Sequence, residues 1–471
     1  MAVIITPGDT NPSDVRVNKR FNAGANYNAV GTMYEIGTIN KSLAINETYI
    51  IPEGHTDGGQ VTQSGISAIL GNYVIATGET IAAGDVVEFV NNQAKKSVNI
   101  GTSIVFESAS IDYISATVID SSRVLVAYRD VGNSYYGTAI VLTIFGTAIV
   151  AGTPFVFASA MTNYISATTI DRNKILVAYQ NGSNYYGKSI VLTISDTTIT
   201  AGTVFDFATT NTTSILVTTL DSSKVLVIYK NNSYSYRGTA IVLTISGTTI
   251  TAGTSLIYET SEAGNASITS LDNNKVLVAY EDGNNSSYGT AIVLTISDTT
   301  ITAGTPLVFE NGRANTISLV TIDNTKALAV YGEGNSNYYG KSIVLTISDT
   351  TITAGTPLVF ENAQVGWFSA TSLVNSKVLV TYRYNTGGYG KSIVLTVSGS
   401  TITAGTAFVF ESNTVLYLSA KTLDSNRVLV AYSSTSNYGT AKIVVGEKVA
   451  HGVAIESGTA GQTKQFYDWR V

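Results

Sequence analysis

The sequence of 471 residues contains no cysteine and only two histidines, His55 and His451. Disulfide bonds and thiolate metal sites are therefore excluded, and a histidine-based triad or zinc cluster is nearly excluded. No apolar run approaches the ~20 residues of a membrane-spanning helix, so we predict no membrane insertion. The first residues also lack the basic and apolar regions of a Sec signal peptide. We expect no metal ion and no cofactor.

Charged residues are scarce as well, at 13% of the chain, and the net charge is −6. Proteins that bind nucleic acids carry basic patches that neutralise phosphates, so this composition argues against a nucleic-acid partner. Hydrophobic residues make up 44% of the chain, which is too many for a disordered protein. Proline is rare, whereas glycine and tyrosine are abundant, with 42 and 28 residues.

What the sequence does contain is an internal repeat of about 50 residues. A Gly-Thr pair before an apolar run recurs seven times, and so does a tyrosine that ends a run resembling Val-Leu-Val-Ala-Tyr. The two markers keep one register along the chain, which predicts seven copies of one structural unit. The markers lie at Gly101, Gly152, Gly202, Gly253, Gly304, Gly355 and Gly405, and at Tyr128, Tyr179, Tyr229, Tyr280, Tyr331, Tyr382 and Tyr432.

Each repeat is predicted to form four strands. In the second repeat these are residues 164–170, 174–179, 187–195 and 198–207, separated by turn residues, and no segment has helical periodicity. Four-stranded units repeated four to eight times are typical of a β-propeller. The fold class is therefore predicted to be all-β.

A β-solenoid is the structural alternative, but the ends of the repeat region favour a closed ring. A fourth-strand pattern at 97–107 precedes the first complete repeat, and the seventh repeat lacks a fourth strand. We predict a seven-bladed β-propeller over residues 96–451, in which 97–107 completes the seventh blade and covers the exposed sheet edges. Residues 1–95 and 452–471 are predicted to form one small β-domain into which the propeller is inserted, because twenty residues are too few to fold alone.

Two segments of that split domain carry a resemblance. Residues 71–93 read GNYVIATGETIAAGDVVEFVNNQ, and residues 451–466 read HGVAIESGTAGQTKQF. They resemble small β-domains of bacteriophage virion proteins, which include capsid decoration proteins and the bases of head or tail appendages. The repeat is similar to repeats of phage-encoded and marine-microbial proteins.

The resemblance implies a virion protein that assembles in the host cytoplasm and binds other virion proteins through its base domain. It carries over no catalytic residue. We also expect a homo-oligomer.

The two faces of the predicted ring differ. Short, uniform turns join the first and second strands, whereas longer loops rich in Tyr, Asn and Gly join the second and third strands. The connections between repeats also vary. Variable loops on a rigid scaffold usually carry function, so host-surface carbohydrate is the expected ligand of this face. The candidate residues are Tyr135, Tyr185, Tyr234, Tyr338, Tyr384, Trp367, Arg129 and Arg383, with Trp367 and Tyr384 expected to be neighbours.

Three recurring sets are assigned to structure instead. Aspartates of the first turn are expected to cap that turn, a tyrosine before each third strand to pack on the next blade, and glutamates after the fourth strand to form a solvated rim. The aspartates are Asp120, Asp171, Asp221, Asp272, Asp323 and Asp424; the tyrosines are Tyr136, Tyr186, Tyr236, Tyr288, Tyr339, Tyr389 and Tyr438; the glutamates are Glu107, Glu259, Glu310, Glu361 and Glu411.

No catalytic residue emerges, so the chain is predicted not to be an enzyme. The sequence favours a virion structural protein, a head or tail appendage or fibre, that presents its propeller for attachment to host-surface glycans. One alternative is a purely structural decoration protein without a specific ligand. A propeller glycosidase is the second alternative, although the sequence lacks the repeated Asp-box motifs of sialidases.

Overall fold

The computed structural model describes residues 100–334, 338–425 and 427–445, together with the backbone of eight short strands nearer the termini. These residues are almost entirely β-strand, with two short 3-10 turns at Asn232–Tyr234 and Gly283–Asn285. The all-β class predicted from the sequence is therefore confirmed. No helix in the described residues is long and apolar enough to cross a membrane. His55, His451 and the amino-terminal segment examined for a signal peptide lie outside the described residues.

The chain divides into two compact units. The first comprises Met1–Asn99 and Glu447–Val471, and the second comprises Ile100–Gly446. Six strands of the first unit form one sheet in which strands from both ends of the chain pair side by side, in the order β1-β2-β37-β35-β4-β5. The strands of this unit are β1 Val61–Gln63, β2 Ile66–Ile75, β3 Thr80–Ile81, β4 Val86–Val90, β5 Gln93–Lys96, β35 Gly452–Ala454, β36 Gly458–Thr459 and β37 Thr463–Asp468.

Antiparallel sheets make up the second unit, and their pairing follows the sequence repeat. The first two repeats contain β6 Ile104–Asp120, β7 Arg123–Asp130, β8 Tyr136–Phe145 and β9 Ala148–Ala151, then β10 Phe155–Asp171, β11 Lys174–Asn181, β12 Gly187–Ser195, β13 Thr198–Ala201 and β14 Phe205–Ala208. The third, fourth and fifth repeats contain β15 Thr212–Asp221, β16 Lys224–Asn231, β17 Arg237–Ser246 and β18 Thr249–Ala252, then β19 Leu256–Asp272, β20 Lys275–Asp282, β21 Tyr288–Ser297 and β22 Thr300–Ala303, then β23 Leu307–Asp323, β24 Lys326–Glu333, β25 Tyr339–Ser348 and β26 Thr351–Ala354. The sixth and seventh repeats contain β27 Leu358–Ser372, β28 Lys377–Tyr384, β29 Tyr389–Ser398, β30 Thr401–Ala404 and β31 Phe408–Thr414, then β32 Leu416–Thr422, β33 Arg427–Ser433 and β34 Tyr438–Val445.

The connections between repeats differ from the variable loops that the sequence predicted. Strand β10 pairs with β8 of the first repeat through residues 155–161, and with β11 of the second repeat through residues 162–171. One continuous strand thus leaves one sheet and begins the next. Backbone groups that would be unpaired in a loop are paired here, and the change of sheet is made by register shifts within the strand.

The predicted fourth strand is interrupted at the Gly-Thr marker. In the second repeat β13 and β14 both pair with β12, and Gly202 lies between them. A Cβ atom at Gly202 would lie 2.7 Å from the Cβ of Thr248, which belongs to the hairpin turn of the next repeat. The marker glycine therefore recurs because neighbouring sheets approach too closely there for a side chain.

The middle of each second strand is buried, and the marker tyrosine lies one or two residues before the strand ends. This tyrosine packs against an aromatic residue of the fourth-strand position. The centroids of Phe106 and Tyr128 are 5.6 Å apart. Where a glutamate follows that aromatic residue, the tyrosine hydroxyl donates a hydrogen bond to it, as Tyr128 does to Glu107 at 3.1 Å. The same bond joins Tyr280 to Glu259, Tyr331 to Glu310, Tyr382 to Glu361 and Tyr432 to Glu411.

The predicted solvated rim of glutamates is therefore wrong. A buried tyrosine hydroxyl needs a hydrogen-bond acceptor, and these carboxylates are the acceptors. The carboxylates are themselves partly buried, since only 13% of the Glu310 side chain is exposed. Burial and the neighbouring carboxylate raise the pKa of Tyr331 well above its ordinary value. The hydroxyl thus stays protonated and can donate to Glu310.

Neighbouring sheets are joined by a recurring serine hydrogen bond. A serine of the innermost strand accepts the backbone N–H of the innermost strand in the next repeat. The bonds run from Ala167 to Ser115, Val217 to Ser166, Leu319 to Ser267, Ala370 to Ser318, Ala420 to Ser369 and Ala116 to Ser419. The last of them is 2.9 Å long and joins the first repeat to the seventh.

The seventh repeat has three consecutive strands, and the first part of β6 pairs with the third of them. Ala441 pairs with Ile104, and Gly439 pairs with Glu107. Residues 97–99 of the predicted closing strand lie outside the described residues. Buried side chains of β6, β7 and β8 form one hydrophobic cluster with side chains of β33 and β34. The first and last repeats therefore contact each other through backbone and core.

Candidate ligand-binding site

The candidate site is built around one residue near the start of the innermost strand of each repeat. At one residue per repeat the backbone adopts a positive φ, for example 49° at Tyr113 and 53° at Trp367. This conformation is uncommon for residues with a side chain, and it aims that side chain away from the regular pleat. We call these seven the bend residues: Tyr113, Tyr164, Ser214, Asn265, Thr316, Trp367 and Tyr417.

Four bend residues are aromatic, and they contact one another in a continuous arc. Ring centroids are separated by 5.2 Å between Tyr164 and Tyr113 and by 5.9 Å between Tyr113 and Tyr417. The arc ends with an edge-type contact of 4.7 Å between Tyr417 and Trp367. The other three bend residues are small and polar. The bend residues therefore divide into an aromatic group and a polar group.

A cavity of about 520 Å³ lies where these two groups meet, between the fifth and sixth repeats. Its lining combines two aromatic side chains and one guanidinium with several amides. The residues that matter below are Trp367, Tyr338, Arg383, Asn265, Asn315, Gln364 and Asn385. Aromatic rings combined with a few polar side chains are the usual lining of sites that bind small molecules.

Two glycines pair with lining residues of this cavity, and one of them, Gly366, lines it. Gly332 pairs with Asn315 across the fifth sheet, and Gly366 pairs with Arg383 across the sixth. A Cβ atom at Gly366 would have its nearest neighbour 3.9 Å away, at Asn385 Oδ1, and one at Gly332 would have its nearest neighbour at 3.6 Å. These positions have room for a side chain, unlike the marker glycines.

Arg383 supplies the positive charge in the cavity. Its Nε atom is buried and has no hydrogen-bond partner among the described residues. Arg129 occupies the same position in the first repeat but is fully engaged. It holds both carboxylate oxygens of Asp112, with 2.5 Å between Nε and Oδ1, and it donates a further hydrogen bond to Asn163. Although desolvation opposes the shift, Asp112 raises the pKa of Arg129.

A second cavity of about 290 Å³ lies at the second and third repeats and is lined by Tyr164, Tyr185 and amide side chains. These amides bond to one another and to the backbone. Asn163 donates to Gln180 Oε1 at 2.8 Å, and Gln180 donates to the carbonyl oxygen of Thr212. In the larger cavity one such bond is present, from Asn265 to Asn315 Oδ1 at 3.0 Å. More of the hydrogen-bonding capacity is used internally in the smaller cavity, which is therefore the weaker candidate.

The structure separates the eight predicted site residues. Tyr338, Trp367 and Arg383 line the larger cavity, whereas Tyr185 lines the smaller one. Tyr135 and Tyr234 are exposed. The guanidinium carbon of Arg129 lies 5.3 Å from the Tyr135 ring centroid, and that of Arg237 lies 5.9 Å from the Tyr234 ring centroid.

Tyr384 is not the neighbour of Trp367 that we expected. It pairs with Val365 across the sheet, one residue beyond Arg383, and successive residues of a strand face opposite sides. Its ring stacks on Tyr389 at 5.0 Å, and the ammonium of Lys391 lies 4.3 Å from its centroid. Tyr384 therefore contributes to the side of the sixth sheet that faces away from Arg383.

The other two recurring sets are the turn aspartates and the tyrosines before the third strands. The Asp120 carboxylate accepts the backbone N–H of Ser122 at 2.9 Å, which is the turn cap that the sequence predicted. Among the tyrosines that precede the third strands, Tyr236 and Tyr438 are exposed and the rest are half-buried. No group of three His, Asp or Glu side chains within the described residues is placed to hold a metal ion.

Sequence reasoning missed the aromatic arc and the amides of the larger cavity. The signal was available, because Tyr113, Tyr164, Trp367 and Tyr417 occupy the same position in their repeats. Aligning the seven repeats column by column would have shown that Trp367 belongs with three tyrosines. The amides Gln364 and Asn385 lie at variable positions and gave no such signal.

No protein-family model and no curated protein matches the chain. Among solved structures, a protein of unknown function from Dyadobacter fermentans is similar at a TM-score of 0.46 and 15% identity, covering 78% of this chain and 99% of that one. The Aleuria aurantia lectin, a fungal lectin described as a six-bladed β-propeller with a novel fucose recognition mode, is similar at a TM-score of 0.42 and 12% identity, with 66% and 98% covered.

The β-propeller domain of the trilobed protease from Pyrococcus furiosus is similar at a TM-score of 0.45 and 11% identity, covering 74% of this chain and 96% of that domain. Similarity at this level transfers no ligand and no residue role to this chain.

Proposed function

We propose that the second unit is a closed seven-bladed β-propeller that binds carbohydrate in the cavity between its fifth and sixth repeats. The seven repeated sheets and the contacts between the first and seventh repeats support the closed ring. The observation that carries the binding proposal is the cavity itself. It brings Trp367 and Tyr338 together with four amide side chains and Arg383.

Each component of the cavity suits a sugar. The Trp367 indole meets Tyr417 in an edge-type contact at 62°, and this contact covers at most one indole face. The other face can receive the apolar side of a pyranose ring, which contributes on the order of 1 kcal/mol. The amides can both donate to and accept from ring hydroxyls. Binding by one such site is weak, so useful attachment needs many copies.

We further propose that the chain is a bacteriophage virion protein whose first unit binds other virion proteins and whose propeller faces the host. The two segments that resemble virion β-domains overlap strands β2 and β37, and four of the six residue pairs between these strands lie within both segments. The pairing supports a single attachment unit built from both ends of the chain. The decoration protein without a ligand is the alternative if no glycan binds.

The first prediction concerns Trp367. We expect Trp367→Asn to lower the affinity of the multivalent protein for its glycan at least tenfold, because the stacking surface is lost. Asparagine is chosen because Asn265 holds the same left-handed bend in the fourth repeat, so the backbone should be preserved. Binding is measured on a glycan array with the full chain displayed on beads, and melting is measured in parallel.

The control variant is Tyr234→Ala, which removes an exposed tyrosine that lines neither cavity. It should bind like the unchanged protein. Equal glycan binding by Trp367→Asn and the unchanged protein would contradict this site, and absence of binding to every glycan would favour the decoration alternative.

A further inference from the structure

Charged residues recur at the position that follows the buried tyrosine of the second strand, and the chain itself neutralises three of them. Arg129 is paired with Asp112 in the first repeat. Lys230 in the third repeat lies 3.0 Å from Glu262. In the fourth repeat the charge is negative, and Glu281 is paired with Arg313 at 3.1 Å.

Arg383 is the fourth charge at this position, and it departs from the pattern. No carboxylate of the described residues pairs with it, and its buried Nε donates no hydrogen bond. The first repeat shows what is missing. Asp112 pairs with Arg129 across the first sheet, and the residue that pairs with Arg383 across the sixth sheet is Gly366. Glycine thus replaces the internal counter-ion.

The surroundings of Arg383 contain no substitute for that carboxylate. The cavity lining consists of amides, aromatic rings, a threonine hydroxyl, a valine and Gly366, with no Asp or Glu among the described lining residues. A buried guanidinium donor without a hydrogen-bond partner destabilises the free protein. A ligand anion that accepts a hydrogen bond from it would remove this penalty on binding. Arginine is also the side chain best shaped to hold a planar carboxylate or a sulfate through two parallel hydrogen bonds.

We propose that the ligand of this cavity is an acidic sugar residue whose anionic group binds Arg383. The ligand anion takes the place that Asp112 occupies beside Arg129, and Gly366 leaves the room for it. Trp367 stacks on the sugar ring that carries the anion, while Asn385 and Gln364 bond to its hydroxyls. This inference rests on the carbohydrate-binding function proposed above, and it names the class of sugar.

The test compares charged and neutral forms of the same glycans. The probes are immobilised glycans carrying uronic or sialic carboxylates, the same glycans as methyl esters, sulfated glycans, and the same glycans after desulfation. We expect the unchanged full chain to bind the charged form at least tenfold more tightly than its neutral form, with the preference falling as salt is added. The carboxylate and sulfate arms show which anion is bound.

Three variants locate that preference. Arg383→Gln should abolish it, and glutamine is compatible with the fold because Gln180 holds this position in the second repeat. Gly366→Asp should abolish it too, because it recreates the Asp112–Arg129 pair within the sixth repeat. Gly366→Asn is the matched neutral control, since Asn163 pairs with Gln180 in the second repeat. Its side chain fills the same space without a charge, so charged glycans should bind it more weakly than they bind the unchanged protein. The binding that remains should still favour the charged form, because Arg383 is not neutralised.

The outcomes separate this inference from the proposed function. If charged and neutral glycans bind equally, or if Arg383→Gln keeps the preference of the unchanged protein, the inference is overturned. If binding also depends on Trp367 in that case, the carbohydrate function stands with a neutral ligand. Absence of binding to every probe overturns both.

Discussion

Trp367 holds a backbone conformation that one residue of every repeat shares, and these seven residues have five kinds of side chain. The role of the bend is therefore separate from the role of the side chain. Tyrosine, serine, asparagine and threonine hold the same positive φ in other repeats. The conformation lies at a register shift in the innermost strand: on either side of Tyr164, Asn163 and Ser166 both pair with β11, and the pairing skips the residues between them. The side chain is therefore free to vary, and a ligand site can be built from it without loss of the fold.

Lys421 is a second residue whose type differs from that of the equivalent residues in other repeats. In four other repeats threonine holds this position on the innermost strand and bonds to a threonine of the next repeat, as Thr371 does to Thr422 at 2.8 Å. The remaining three such bonds are Thr117 to Thr169, Thr168 to Thr219 and Thr269 to Thr321. Desolvation by burial lowers the pKa of the Lys421 ammonium, and no carboxylate among the described residues pairs with it.

This lowered pKa predicts a pH dependence of stability. The unfolded chain binds a proton at Lys421 up to about pH 10.4, whereas the folded chain releases it at a lower pH. The penalty for burying the charge is therefore complete below the folded-state pKa and is relieved as pH rises towards 10.4. Lys421→Met removes the charge and should be more stable than the unchanged protein at pH 7.

The measurement is the free energy of unfolding of both proteins between pH 7 and pH 9.5. The advantage of Lys421→Met should shrink as pH rises. An advantage that stays constant, or a variant that is less stable at pH 7, would show that the ammonium carries no burial penalty.

Among the secondary-structure elements, the junction between the first and seventh repeats decides whether the ring is closed. Ser419 accepts a hydrogen bond from the N–H of Ala116 across this junction. Ser369 accepts one from the N–H of Ala420, between the sixth and seventh repeats, which follow each other along the chain. Both acceptors are otherwise equivalent. Removing either leaves a buried backbone N–H without a partner, which costs about 1–2 kcal/mol.

We therefore expect Ser419→Ala and Ser369→Ala to lower the free energy of unfolding by similar amounts in denaturant titrations. Ser436→Ala, at an exposed serine of a loop, serves as the control and should have no effect. A normal stability for Ser419→Ala beside a clear loss for Ser369→Ala would mean that the ring is open at this junction.

The strands and their all-β class followed from the sequence because periodicity and turn residues are local signals. The hairpin turns were predictable for the same reason, as Asp120 shows. The continuous strands between repeats were not predictable, because residues 155–171 contain polar side chains typical of loops and are held by pairing with two different sheets. Tertiary pairing overrides local preference there.

The candidate site was predicted only in part, and for a physical reason. Trp367 and Arg383 stand out by residue type, but their proximity depends on the register that places Gly366 opposite Arg383. The glutamates were assigned to solvent because a carboxylate is usually exposed. Each glutamate accepts a hydrogen bond from a tyrosine hydroxyl, as Glu259 does, and the tyrosine is 21 residues away in sequence.

For the whole molecule, we proposed above that one unit attaches and the other recognises a glycan, and the chain is divided into two compact units. The first unit draws strands from both chain ends, and the second unit comprises the residues between them. A single cavity with a few stacking and amide contacts binds weakly, and presentation of many copies on one particle multiplies the effective affinity. The expected homo-oligomer would supply such copies.

The central claim is that a sugar ring stacks on Trp367, and tryptophan fluorescence can report this contact directly. The chain contains two tryptophans, Trp367 and Trp469, so Trp469→Phe leaves Trp367 as the single emitter. The measurement is a titration of this variant with the glycan that binds best on the array. We predict a saturable change in Trp367 emission whose midpoint matches the dissociation constant from an independent binding assay. Glycan binding without any change in Trp367 emission would contradict the account.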